Sequence, residues 1–347
     1  MAGPDTTYVL YEDRPSAWIG LKLAVLSLLD HVPDARVIAH APQASPELRA
    51  WFARRAGVTL DDSELAGARG WDVKPLVLLE ALASSPLACW VDTDVIVSGD
   101  LDRLLAVVPE RTLVATEESH WGQHQGGVHR TLSWGLTPGR SLPVTVNTGL
   151  VRVHRAHTEL LEAWRDLLAD PRYVAAQALP WRERPRHLFG DQDVLTALLA
   201  SDRFAATELR LLAQGREIAQ CNGASGYTAA QRVRAVATGA GLPVLIHAMN
   251  RKPWVPRPRA GSVLRRWRSS YEGLHDRLSP YTAVASRYAA DLDQPAPWLG
   301  PPRGATMSIL QELPLAVVDH LSRAARKRAG VARFAVPDQA SGIRTQR

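Results

Sequence analysis

Leu87-Ala88-Cys89-Trp90-Val91-Asp92-Thr93-Asp94-Val95-Ile96-Val97 runs five apolar residues into two aspartates one residue apart, then into three more apolar residues. The apolar run reads as a buried strand, and the acids mark its end. In an extended chain alternate side chains share a face, so the spacing predicts that Asp92 and Asp94 point the same way. Two carboxylates on one face repel unless a cation lies between them, and a hard divalent ion bound through oxygen fits that place. Spacing alone does not decide the matter. Asp-x-Asp recurs at Asp100 and Asp102, at Asp191 and Asp193, and at Asp291 and Asp293. Only the first pair closes an apolar strand.

Upstream of this stretch the pattern alternates. Residues 7–11 and 36–40 read as strands, and residues 16–30, 46–55 and 72–83 as helices, with Ser16 a plausible N-cap. Strands separated by helices of this length imply βαβ units and a mostly parallel sheet. Ligands of such sheets bind at the carboxyl ends of the strands, where Asp13 and the Asp92/Asp94 pair would share one edge. Downstream, residues 112–116, 145–153 and 243–247 read as strands, and 157–168 and 193–199 as helices. A polar, Gly-rich segment over 120–140 is a candidate loop above a site. Proline, arginine and tryptophan cluster from Pro253 onward and mark a boundary.

At 347 residues, 46% hydrophobic and 22% charged, the composition is that of an ordinary globular protein. No apolar run approaches a membrane span, and the first residues carry no basic-then-apolar leader, so the expected location is cytoplasmic. Cys89 and Cys221 are too few for a disulfide framework. Only four of the 41 cationic residues are lysines (Lys22, Lys74, Lys252 and Lys327), which singles each of them out. Residues 251–347 hold 17 Lys+Arg against 7 Asp+Glu, so the basic character belongs to that quarter and the rest is mildly acidic.

Four segments follow in order: Asp92-Thr93-Asp94; Val146-Asn147-Thr148-Gly149; Gly190-Asp191-Gln192-Asp193-Val194-Leu195; and Ile246-His247-Ala248-Met249-Asn250-Arg251-Lys252-Pro253-Trp254. Together, over about residues 7–254, they resemble the family-8 glycosyltransferases, retaining enzymes of the Rossmann-like GT-A fold. The resemblance implies a mostly parallel mixed sheet flanked by helices, as a catalytic domain over 1–254. A basic, Pro/Arg-rich helical extension over 255–347 would follow it. It implies a nucleotide-sugar donor and a divalent metal, manganese with magnesium as the alternative, held by Asp92, Asp94 and His247. Lys74 and Lys252 would add positive charge beside the diphosphate. Thr93 belongs to the same donor segment, and Asn147, Thr148 and Gly149 would line the donor sugar. Tyr11, Glu12 and Asp13 would receive the nucleoside. Asp191, Gln192 and Asp193 would stand at the reacting carbon, the start of a helix keeping Asp193 ionised.

The sequence departs from the family in two places. Asn250 stands where the last motif has a glycine, and Lys252 follows His247 by one residue fewer than usual. The first-strand motif is also loosely matched. Taken one at a time the segments have plainer readings. His247 is then a structural histidine, Gln192-Asp193 a helix cap, Asn147-Thr148-Gly149 a strand-edge turn, and Lys74 a partner of Asp72 or Glu80 on a helix surface. Their order is what argues for a site. The expected activity is metal-dependent hexosyl transfer with retention to an unspecified acceptor. An inverting GT-A enzyme, a sugar-nucleotide pyrophosphorylase and a non-catalytic sugar-binding protein are the rivals. Tyr11-Glu12-Asp13-Arg14-Pro15-Ser16 offers no Gly-rich phosphate loop for a pyrophosphorylase. Apolar positions over 309–321 with Arg323, Arg326, Lys327 and Arg328 beyond them suggest a peripheral contact with an anionic membrane, against a plainer reading as a docked helix. No nucleic-acid recognition motif is present.

Overall fold

A computed structural model describes residues 6–65, 68–118, 128–221, 226–249, 252–255 and 263–328. Residues 120–127 of the expected loop, and Asn250 and Arg251 of the last motif, lie outside them. The strands are β1 (Thr6–Tyr11), β2 (Arg36–His40), β3 (Val58–Asp61), β4 (Leu87–Val91), β5 (Val95–Val97), β6 (Leu113–Glu117), β7 (Val146–His154), β8 (Leu209–Leu212), β9 (Ile218–Gln220) and β10 (Leu245–His247). The helices are α1 (Trp18–His31), α2 (Pro46–Ala53), α3 (Lys74–Ser84), α4 (Leu101–Ala106), α5 (Val128–Ser133), α6 (Thr158–Leu168), α7 (Pro171–Gln177), α8 (Asp191–Leu199), α9 (Ala229–Thr238), α10 (Val263–Leu278), α11 (Pro280–Ala285) and α12 (Ala305–Arg328).

Seven strands form one sheet in the order β3-β2-β1-β4-β7-β6-β8. Only β7 runs antiparallel to its neighbours; the other pairings are parallel. This is the mostly parallel, helix-flanked α/β architecture anticipated from the alternating pattern. Alternate residues of the central strands feed opposite cores. Val9, Tyr11, Ala88 and Trp90 pack with α3, α6 and α8 on one face. Tyr8, Leu10, Cys89 and Val91 pack with α1 and α2 on the other.

A second, three-stranded sheet of order β5-β10-β9 positions the site. β5 pairs antiparallel with β10, and the register sets His247 opposite Val95. The turn carrying Asp92 and Asp94 leads straight into β5, so that register delivers His247 beside both. α1 fits between the two sheets: Ile19 and Leu23 pack with Ile96, Ile246, Tyr281 and Val284. Gly20 is required there, since a Cβ would meet the Thr93 carbonyl at 2.8 Å and the Trp254 ring at 2.7 Å. α10, α11 and α12 pack on one another, and α12 packs against α9. Buried Arg232 pairs with Glu312 at 2.6 Å, a contact that joins α9 to α12.

Candidate active site

Asp92, Thr93 and Asp94 form a turn after β4, closed by the Val95 amide on the Asp92 carbonyl at 2.9 Å. The strand-alternation argument is therefore not what brings the two carboxylates together. The turn does so, and it sends Thr93 the other way, its hydroxyl donating to Glu12 Oε2 at 2.8 Å. Each aspartate divides its oxygens. Asp92 Oδ1 takes the Lys74 ammonium at 3.0 Å and the Trp90 indole N–H at 2.7 Å. Asp94 Oδ2 takes Lys252. The remaining oxygens face His247 Nε2, Asp94 Oδ1 at 3.3 Å and Asp92 Oδ2 at 3.8 Å.

Candidate ligand atoms of Asp92, Asp94 and His247 lie within 4.8 Å of one another. Two carboxylate oxygens and one imidazole nitrogen suit a divalent ion such as manganese. The surroundings fit that use. Gly149 leaves the space in which the His247 ring lies, because a Cβ there would stand 2.7 Å from Nδ1. Burial alone would raise the Asp94 carboxyl, but Lys252 and His247 overcome it and hold the group well below the usual carboxylate range.

Lys74 is not a surface partner of Asp72 or Glu80. It is buried, and besides Asp92 it pairs with Asp191 Oδ2 at 3.2 Å and donates to Thr148 Oγ1 at 2.9 Å. Thr148 in turn donates to Asp191 at 2.6 Å. Burial opposes the charge on Lys74, yet Asp191 and Asp92 raise its pKa above the ordinary lysine value.

Successive alternate residues on a helix stand about 200° apart, and α8 separates Asp191 from Asp193 accordingly. Asp191 joins Lys74, whereas Asp193 turns into the core and pairs with Arg130 of α5 at 2.7 Å. The helix-start argument predicts an ionised Asp193; burial raises its carboxyl to about 6, and Arg130 is the group that favours its charged form. Gln192 lies between them and lines the cleft. Its amide is fixed at both ends: Asn147 Nδ2 donates to Oε1 at 3.1 Å, and Nε2 donates to Glu118 Oε2 at 3.1 Å. Asn147 also donates to Glu118 at 2.9 Å and accepts from the Gly149 amide at 2.9 Å.

These groups line a cleft of about 890 Å³ that includes Tyr11, Glu12, Asp13, Lys74, Asp92, Thr93, Asp94, Asn147, Thr148, Asp191, Gln192, His247 and Lys252. Asp193 is not among its walls, and Gly149 stands behind His247. An adjoining cavity of about 960 Å³ shares Tyr11, Asp13, Arg69 and Asp72 with it. Sequence reasoning missed Glu118, Arg130 and the rim residues Trp181 and Arg184. Glu118 follows β6 as Asp13 and Asp92 follow β1 and β4, so the sheet-edge rule could have found it. Nothing local distinguishes Arg130.

No family model matches this sequence, and no curated protein does. Among solved structures the chain is similar to the glycosyltransferase GlyE of Streptococcus pneumoniae TIGR4, at 16% identity and a TM-score of 0.44 over 83% of this chain and 64% of that one. It is similar to the galactosyltransferase LgtC in complex with donor and acceptor sugar analogues, at 17% and 0.45 over 77% and 95%. A third is the bifunctional glycosyltransferase WbbM, at 12% and 0.47 over 81% and 51%. The chain thus spans under two thirds of GlyE and about half of WbbM, and likenesses this distant leave function to be argued from the site.

Proposed function

We propose that the protein is a metal-dependent glycosyltransferase of the family-8, GT-A type that moves a hexose from a nucleotide-diphosphate sugar to an acceptor with retention. The observation that carries the reading is the division of the Asp92 and Asp94 carboxylates between two lysines on one side and His247 on the other. Asp92, Asp94 and His247 would hold the ion. The chemistry such an ion, manganese or magnesium, would supply there is neutralisation of charge on a leaving diphosphate. Lys252 and Lys74 offset two of the three carboxylates Asp92, Asp94 and Asp191, which lowers the repulsion an anionic donor meets. Tyr11, Glu12 and Asp13 receive the nucleoside, and the Thr93–Glu12 hydrogen bond ties that loop to the metal turn.

Retention is favoured by what the carboxylates of α8 are doing. An inverting enzyme needs a free base toward the acceptor, and Asp191 and Asp193 are both in buried ion pairs. The cleft instead presents the Gln192 amide, held by Asn147 and Glu118, with Asn147, Thr148 and Gly149 read as the donor-sugar wall. The amide oxygen is suited to stabilising positive charge at the anomeric carbon, with Asp191 and Asp193 fixing the helix start beneath it.

We place the catalytic unit in residues 1–254 and read 255–347 as a basic extension, although residues 280–299 pack on α1 and the small sheet. No helix among the described residues is long and apolar enough to cross a membrane. The outer face of α12 exposes Met307, Leu310, Val317, Val318 and Leu321 ahead of the basic run, which supports peripheral contact with an anionic inner membrane surface in a cytoplasmic protein. No nucleic-acid partner is part of the reading. Purified protein given nucleotide-sugars and manganese should release nucleotide slowly without acceptor. Asp94→Asn should lower that turnover about 10²–10³-fold or more; a variant keeping most of it overturns the assignment. NMR of the product anomer separates retention from inversion.

A further inference from the structure

A second group of metal-ligating side chains lies on the same sheet outside the cleft. Tyr11, His40 and Asp61 are in register across β1, β2 and β3, and residues opposite one another in a ladder share a face. Tyr11 packs in the core beneath α3, so His40 and Asp61 face α3 too, and that helix supplies Glu80. Candidate ligand atoms of His40, Asp61 and Glu80 lie within 4.8 Å of one another.

Three features set this group apart from a satisfied structural histidine. His40 is 1% exposed, yet its Nδ1 has no hydrogen-bond partner. Asp61 Oδ2 is 3.3 Å from that nitrogen but off its N–H axis. Two ligands of one tetrahedral zinc ion, with bonds of about 2.0–2.1 Å, stand about 3.4 Å apart and off axis in the same way. Second, Ser63 donates to Asp61 Oδ1 from its amide at 2.9 Å and from its hydroxyl at 2.6 Å, and this fixes Oδ2 toward His40. Third, among the described residues no lysine or arginine forms an ion pair with Asp61 or Glu80. Two carboxylates therefore face a buried imidazole whose Nδ1 is unpartnered, and no lysine or arginine among the described residues pairs with either of them.

We propose that His40, Asp61 and Glu80 form a second divalent transition-metal site, for zinc, that clamps the edge strand β3 to α3 independently of the Asp92/Asp94/His247 cluster. An imidazole nitrogen with two carboxylate oxygens is a zinc donor set, and the exposed Glu80 side leaves a fourth position for water. The edge strand, open to solvent on one side, is where such a clamp adds most.

The test uses untagged full-length chain stripped with chelator and titrated with zinc by calorimetry. It does not depend on glycosyl transfer, because binding is read directly. Asp94→Asn disables the cleft cluster, and that variant should still bind one zinc per chain. Adding Glu80→Gln, at an exposed position that leaves the core intact, should weaken this binding at least tenfold. An Asp94→Asn chain that binds no zinc overturns the proposal, and so does any loss smaller than tenfold on adding Glu80→Gln. Cobalt in place of zinc should give a tetrahedral absorption band in the Asp94→Asn chain that Glu80→Gln removes; a band that survives overturns it as well.

Discussion

The two histidine–carboxylate clusters use the same donor atoms and differ in what balances their charge. At His247 two lysines already hold one oxygen of each aspartate. At His40 no lysine or arginine among the described residues does so. A pre-neutralised cluster in an open cleft can take and release an ion together with an anionic ligand. An unneutralised cluster at a sheet edge would hold an ion for its own stability. On the two proposals the same kinds of ligand would serve exchange in one place and structure in the other, with the neighbouring cations deciding which.

Lys74 is where that contrast should break most sharply. Lys74→Ala strands Asp92 and Asp191 without their shared cation, and breaking a buried pair costs about 3–5 kcal/mol. Urea denaturation should show that loss, whereas Glu80→Gln in metal-free protein should stay within about 0.5 kcal/mol. Equal effects would mean that the cleft lysine is not structural. A smaller effect is expected from Gly149→Ala. Its methyl displaces the His247 ring and should weaken manganese binding about 10–100-fold, the usual cost of disturbing a ligand's support, with zinc binding at His40 unchanged. Calorimetry with both metals checks this, and equal losses for both would erase the distinction between the sites.

The smallest effect concerns pH. Burial pushes the Asp72 carboxyl up to about 6, with Asp191 adding to the rise and the Tyr173 hydroxyl opposing it. Between the unfolded value, about 3.9, and 6 the folded chain keeps a proton that the unfolded chain has lost. Stability from this group therefore falls as pH rises through that window and is constant above it. Denaturation midpoints for wild type and Asp72→Asn should converge toward pH 4 and separate toward pH 6 in favour of the variant. A constant difference between them would rule out this titration.

Much of the first half of the chain is legible because its elements are long enough to be periodic. β1, β2, α3 and β4 each show their apolar spacing, and the acids after β1 and β4 mark one sheet edge. β5, β9 and β10 are three residues each. A run so short carries no period, and β5 finds its partner β10 nearly 150 residues later, with Leu245 opposite Val97, so the small sheet was invisible as a sheet. Among site residues, the aspartates and His247 stood out by motif. Glu118 and Arg130 did not, because their roles exist only through Gln192 and Asp193.

By itself the sequence determined that an apolar strand ends in acids at the carboxyl edge of a parallel sheet, since burial demands that pattern. It also determined the order of the four segments. The Asp-x-Asp spacing alone could not choose among its four occurrences; the apolar strand ahead of Asp92 and the order of the segments picked out the first. Tertiary structure supplied its third partner. The antiparallel register of β5 on β10 brings His247 to Asp92 and Asp94. The helical turn of α8 sends Asp191 toward the cleft and Asp193 away from it. The placement of two of four lysines then set the electrostatic state of the site, because Coulomb energy depends on distances that the chain order does not contain.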